Sequence, residues 1–212
     1  MSVDPRAVRT LCRRDATLAK IIRRVGPCTL APRRRYFANL CQAIVWQQLS
    51  PKAATTIYGR FRGLFPRRVP TPTRLLELPD AALRRAGVSR QKAGYLRDLA
   101  RRFADGTIPY RRLAAMEDDA VIDALTLVKG IGVWTAQMFL IFVVSRPDVL
   151  PVDDLGLRKA VSFHYGFDAL PSAAEMTEVA EPWRPYRSIA AWYLWQSLNN
   201  QPAPRAGVSA DE

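Results

Sequence analysis

The chain has 212 residues, with 32 Lys or Arg against 19 Asp or Glu, a formal net charge of +13 and an isoelectric point near 10.4. Hydrophobic residues make up 49% and five residues are Trp, enough apolar surface for a packed core, which excludes a disordered polycation. No run of 18 uninterrupted apolar residues and no signal-peptide pattern is present, so a soluble, intracellular, cytoplasmic protein whose partner is a polyanion, not a membrane, is expected.

The hydrophobic spacing is helical almost throughout, which predicts an all-α fold. About 32 residues of N-terminal helices come first. They hold Cys12 and Cys28, which with Cys41 make an odd set without CxxC spacing, read as buried or inert thiols instead of a disulfide or a metal site. From Arg33 to Leu49, Tyr36, Phe37, Leu40, Cys41, Ile44, Val45 and Leu49 recur at steps of three and four, and Pro51 starts a second helical run to Phe65. Pro66, Pro70 and Pro72 mark a connector. Leu75 to Ala86 reads as short helices ending at Gly87, and Ser89 caps a long amphipathic helix to about Ala104. Asp118 and Asp119 open a helix to Val128; the Gly130 and Gly132 turn leads into an apolar helix from Val133 to Val144. Asp153 and Asp154 precede a helix to Tyr165, Ser172 opens another, and Tyr186 to Asn200 forms an aromatic helix. Residues 201–212, rich in Pro, Ala and Gly, read as a disordered tail. There is no internal repeat.

The charge is unevenly spread. Residues 1–106 hold 23 Lys or Arg and 6 Asp or Glu, whereas residues 107–212 hold 9 and 13. A polyanion is therefore drawn to the first half, and carboxylates are concentrated in the second. In the second half, Leu127-Val128-Lys129-Gly130-Ile131-Gly132-Val133-Trp134-Thr135 lies between two apolar helices. Two glycines one residue apart let the chain turn without a Cβ clash and leave the amides of Gly130, Gly132 and the next helix start open as an anion nest. Taken alone, this is an ordinary interhelical turn. Twenty residues after Trp134 comes Leu150-Pro151-Val152-Asp153-Asp154-Leu155-Gly156.

Here the chain resembles the helix-hairpin-helix DNA glycosylase superfamily, most closely its 3-methyladenine DNA glycosylase II branch, over roughly residues 33–200. Four stretches carry the resemblance in order: Ile44-Val45-Trp46-Gln47-Gln48-Leu49-Ser50, Gly87-Val88-Ser89-Arg90-Gln91-Lys92-Ala93, the hairpin with its downstream Asp pair, and Trp183-Arg184-Pro185-Tyr186-Arg187-Ser188 leading to Trp195. The resemblance implies a single glycosylase unit over 1–200, in a compact form without the additional N-terminal α/β domain of longer bacterial relatives. It would have two helical subdomains, one of central helices at about 33–123 and one of N-terminal helices with about 124–200, the pocket lying between them.

The resemblance also implies roles. Asp154 is the catalytic carboxylate and Asp153 its capping or supporting neighbour, although both could simply cap a helix. A carboxylate beneath a sugar stabilises the positive charge that develops as an N-glycosidic bond breaks, or activates a water. Trp134 stands where bifunctional relatives carry a Schiff-base Lys, which implies a monofunctional enzyme with no strand-cleaving lyase activity. Trp134, Trp195 and Gln47 belong to the base pocket, with Trp192 either pocket or plain core; an aromatic wall suits a cationic alkylated purine. Gln48 is the wedge that fills the vacated space, or an ordinary solvated helix end. Lys52, Arg90, Lys92, Lys129, Gly130, Gly132 and Thr135 are the DNA contacts. No cofactor is required; a sodium or potassium ion at the carbonyls of Thr126, Val128 and Ile131 is an option, and an iron-sulfur cluster is excluded because no Cys follows Cys41. His164, the only histidine, has no metal-ligand companions. The implied partner is double-stranded DNA carrying damaged bases, met by a monomer at the nucleoid. The alternatives are a glycosylase for deaminated or oxidised bases, or a noncatalytic duplex-binding protein.

Overall fold

The computed structural model describes residues 3–199, and within them the chain forms twelve α-helices and no strand. The tail at 201–212 lies outside the described residues. Two compact units emerge, one made of residues 30–151 and the other of residues 3–29 with 152–199.

The second of these units opens the chain. Helix α1 (Pro5–Arg14) is capped by Asp4 and has Pro at its first turn, and α2 (Ala16–Val25) follows after one residue. That residue is Asp15, whose Oδ1 accepts from the Leu18 amide at 2.8 Å.

The 30–151 unit is built around α3 (Tyr36–Trp46), which buries Phe37, Leu40, Cys41, Ile44 and Val45. It packs on α4 (Pro51–Gly63), on α7 (Arg90–Ala104) and on α9 (Val133–Phe139). Truncating a fully buried member such as Leu40 or Ile44 to Ala costs about 2–5 kcal/mol in such a core. Ser89 caps α7 as expected. Pro72 does not prolong the connector: it occupies the first turn of α5 (Pro72–Glu77), where a missing N–H costs nothing. Helix α6 (Asp80–Arg85) leads to Gly87, and α8 (Asp118–Thr126) precedes the hairpin.

The apolar run after the hairpin is not one helix. Helix α9 ends at Phe139 and continues as a π-helical turn, Leu140–Val144, closed by Ser145 in the left-handed region at φ 65°. Arg146 then reaches back to the carbonyls of Ala114 and Met116 and pairs with Asp118 at 3.1 Å. Because Tyr36 also packs edge-on against Phe139, with ring centroids 5.5 Å apart, the hairpin and α9 stay with the central helices. The first unit therefore runs to Pro151, past the boundary expected near Asp123.

The rest of the second unit is α10 (Leu155–Tyr165), α11 (Ala173–Val179, with a capping box from Ser172 and Glu175) and α12 (Arg187–Asn199). Helix α12 packs on α2 and α10 and buries Ile189 through Leu194, so it is apolar on every side, as a central helix must be. Asp15 ties this unit together: its Oδ2 accepts from Tyr165 Oη at 2.6 Å and from Trp183 Nε1 at 2.8 Å. Burial, together with the Asp15 carboxylate, pushes the Tyr165 phenol far up from its ordinary value.

Candidate active site

In the first unit the hairpin is fixed from below. Gly130 has φ +83°, and a Cβ there would stand 2.2 Å from the Tyr95 ring, so both conformation and space demand glycine. Gly132 differs: its φ is −97°, and a Cβ would meet nothing within 4 Å. The turn needs one glycine, not two. Gly132 is the N-cap of α9 and makes no side-chain cap bond, so backbone stands at a positive helix end. The Lys129 amide is already used, donating to Asp98 Oδ2 at 2.9 Å. Burial raises the Asp98 carboxyl, but this amide and Arg102 outweigh it and hold the carboxyl below its usual range. Among the three carbonyls of the expected cation site, that of Val128 accepts from the Ile131 amide at 3.0 Å, and Thr126 turns its hydroxyl to the Asp123 carbonyl.

The end of α3 is locked to this turn. Gln47 Nε2 donates to the Gly130 carbonyl at 2.8 Å, and Lys92 Nζ donates to the carbonyls of Val45 and Gln47, each at 2.7 Å. These are the orphan carbonyls of a helix C-terminus, satisfied by a half-buried cation. Lys92 is therefore the clamp of α3, not the outward phosphate contact expected. Burial lowers the pKa of its ammonium. Gln48 follows with φ +54° and an exposed side chain. Gln47, Gln48, Lys92, Gly130, Trp134 and Thr135 line one cavity of about 610 Å³, shared with Tyr95 and Trp46. Trp134, second in α9, is 49% exposed there. Thr135 is only 8% exposed, so it belongs to the wall instead of the outer surface. Lys52, Lys129 and Arg90 are exposed and outside that lining.

The expected carboxylate lies in the second unit. Asp154 caps α10, its Oδ1 accepting from the Leu157 amide at 2.6 Å and from Trp195 Nε1 at 2.8 Å. Capping thus falls to Asp154; Asp153, expected to cap or support it, is exposed in the preceding turn. Gly156 makes the pair possible, since a Cβ there would stand 3.2 Å from Asp154 Oδ1 and 3.4 Å from Trp195 Cδ1. Trp192 is 7% exposed and packs edge-on to Tyr193, with ring centroids 5.0 Å apart, so it is core, not pocket. His164 Nε2 lies 2.8 Å from Ser197 Oγ, and burial, helped by Arg24, lowers its pKa.

Tyr95 and Gly156 are the site residues that sequence reasoning missed. Gly156, the second residue of the helix that Asp154 caps, was visible as a costly glycine in a helix start. Tyr95 carried no signal, because its partner Gly130 is remote in sequence.

Residues 41–185 match the family model described as the HhH-GPD superfamily base excision DNA repair protein. Among curated relatives, the chain is 31% identical over 196 residues to an alkylbase DNA glycosidase-like protein of Schizosaccharomyces pombe, covering 90% of this chain and 92% of that one. It is 32% identical over 182 residues to a DNA-3-methyladenine glycosylase of the same yeast, covering 85% and 80%. Among solved structures, a DNA-3-methyladenine glycosidase from Bacillus halodurans superposes with a TM-score of 0.85 at 36% identity, covering 94% of this chain and 92% of that one. The S. pombe 3-methyladenine DNA glycosylase in complex with abasic DNA superposes with a TM-score of 0.82 at 30% identity, covering 92% and 97%. Among the described residues no helix is long and apolar enough to cross a membrane.

Proposed function

The chain belongs to the HhH-GPD superfamily of base excision DNA repair proteins, and on that premise we propose that it is a monofunctional DNA glycosylase releasing alkylated purines of the 3-methyladenine type from duplex DNA. The similarity to 3-methyladenine glycosylases over most of the chain supports the substrate class. The observation that carries the chemistry is the Asp154 carboxylate, fixed by its own helix and by the Trp195 indole.

As the base leaves, positive charge grows on the deoxyribose, and the Asp154 carboxylate stabilises it or takes the proton of the attacking water. Two donors on one oxygen hold the group in a single orientation, so it does not reorganise during the reaction. Trp134, exposed on its cavity wall, offers an aromatic face to an electron-poor purine; stacking and cation-π attraction are each worth on the order of 1 kcal/mol. Gln48, exposed and in the left-handed region, fills the space an extruded nucleotide vacates. The hairpin backbone at Gly130 and Gly132 receives a backbone phosphate, with Lys52, Arg90 and Lys129 as outlying phosphate contacts. Lack of lyase activity is supported by Trp134 at the hairpin position, since an indole cannot form a Schiff base.

Incubation with duplexes bearing 3-methyladenine, 7-methylguanine, hypoxanthine, ethenoadenine or 8-oxoguanine tests the proposal. Release of the alkylated purines is expected, with an intact abasic strand and no covalent adduct trapped by borohydride. If no base is released, or if Asp154→Asn releases it at the wild-type rate, the proposal fails.

A further inference from the structure

The opposite end of α3 carries a feature that excision does not use. Arg33, Arg34, Arg35, Arg62 and Arg68 line a cavity of about 240 Å³, and no Asp or Glu is among its lining residues. Arg62 Nε donates to the Arg68 carbonyl at 2.9 Å, and Arg68 Nη2 to the Gly59 carbonyl at 3.2 Å. These two guanidinium groups are held in place by neutral backbone, and among the described residues neither pairs with a carboxylate. Arg35, Arg67 and Arg68 adopt φ of 71°, 52° and 57°, a conformation costing a non-glycine residue about 1–2 kcal/mol. Strain concentrated where like charges converge points to a ligand that repays both.

A second hollow adjoins the first. About 610 Å³ in volume, it shares Arg34, Arg35, Ala38, Val69 and Pro70 with the arginine cavity, and Tyr36, Phe37, Phe103 and Tyr110 give it an aromatic floor and wall. Phe37 and Phe103 are buried beneath it, and the open ring surface is that of Tyr110, 46% exposed, with the half-buried Tyr36; arginines on one side and these rings on the other match a ligand with phosphates and unstacked bases. A duplex offers the phosphates but keeps its bases stacked inside, leaving the aromatic hollow without a use. A free acidic peptide lacks the planar rings and the tetrahedral anion that guanidinium forks bind bidentately.

We propose that this paired cavity is a binding site for a single-stranded nucleic-acid segment, its phosphates on the arginines and a base in the aromatic hollow. Along α3 its lining reaches Gln42, five residues before Gln47 or roughly 7 Å of helix rise, and it shares no lining residue with the excision cavity. The assignment does not depend on glycosylase activity.

The test is an NMR titration of the full-length protein with a thymidine hexanucleotide. The side-chain amides of Asn39 and Gln42, which line the arginine cavity, and the ring signals of Tyr36 and Tyr110 are expected to shift together. These shifts should survive Trp134→Ala, which alters only the other cavity. In the exposed double variant Arg33→Gln/Arg34→Gln they should weaken on the order of 10-fold in affinity, and the log-log salt slope should fall by roughly 0.7 for each phosphate left without its arginine. Shifts confined to Gln47 and Gln48, an undisturbed Tyr110 ring, an unchanged slope in the double variant, or tighter binding there of an acidic peptide or a duplex would each overturn the proposal. Base release from a damaged duplex, measured on the same double variant, is expected at the wild-type rate, which keeps this outcome separate from the excision chemistry.

Discussion

Asp154 caps α10 and is the proposed catalytic carboxylate, and substitutions can separate the two roles. Asn keeps the Oδ1 acceptor and is as good an N-cap as Asp, so Asp154→Asn should hold its melting temperature while losing base release by on the order of 100-fold or more. Asp154→Ala should lose the cap as well, a further 0.5–2 kcal/mol, or about 1 on average, in urea unfolding. The two hairpin glycines make a second contrast. Gly130→Ala meets the Tyr95 ring and a forbidden φ together, so it should lower the melting temperature markedly, whereas Gly132→Ala, with open space around its Cβ, should fold as wild type and lose affinity for duplex DNA by titration. The sequence pattern displayed Gly-x-Gly but could not distinguish them, because the ring that makes one obligatory lies a long way off in the chain. The same blindness left the cap open between Asp153 and Asp154: adjacent aspartates differ only in φ and ψ, which the residue types leave open.

At the scale of elements, helix positions were legible because apolar spacing and caps are local properties. Pro51, Ser89 and Ser172 mark the starts of their helices as their sequence context indicates. The π-turn at Leu140–Val144 was not legible, since a run apolar at every position has no phase to slip. Nor was the Lys92 clamp on α3, which spans 45 or more residues. Lys92→Met should leave two carbonyls unpaired and destabilise the unit by about 1–3 kcal/mol, with the Gln48 turn loosened. Weaker discrimination between damaged and undamaged duplex, read from the ratio of binding constants, would accompany it. Between α10 and α12, burial lowers the His164 pKa from 6.5, so the unfolded chain binds that proton more readily. The stability it contributes is complete above about pH 6.5 and is lost as pH falls through the lowered folded value. Melting temperatures should therefore drop from about pH 7 to about pH 5, and His164→Asn should flatten that drop.

Taken whole, the molecule's class was the most legible property, because an all-helical pattern with four family stretches in order constrains the chain globally, while the break at Pro151 depends on which helices α9 packs against. The second unit also repeats one construction. Asp15 and Asp154 each cap a helix through Oδ1 and each accept a tryptophan N–H, from Trp183 and Trp195 respectively. Asp15 alone gains a tyrosine hydroxyl besides. Asp15 thus serves as a control for the role proposed for Asp154. Asp15→Asn should lower the melting temperature and spare turnover per folded molecule, the reverse of Asp154→Asn. The two mounts differ in one respect: Asp15 divides its donors between both oxygens, whereas Asp154 takes the Leu157 amide and the Trp195 indole on Oδ1, and that division is where the anchor and the proposed catalyst part.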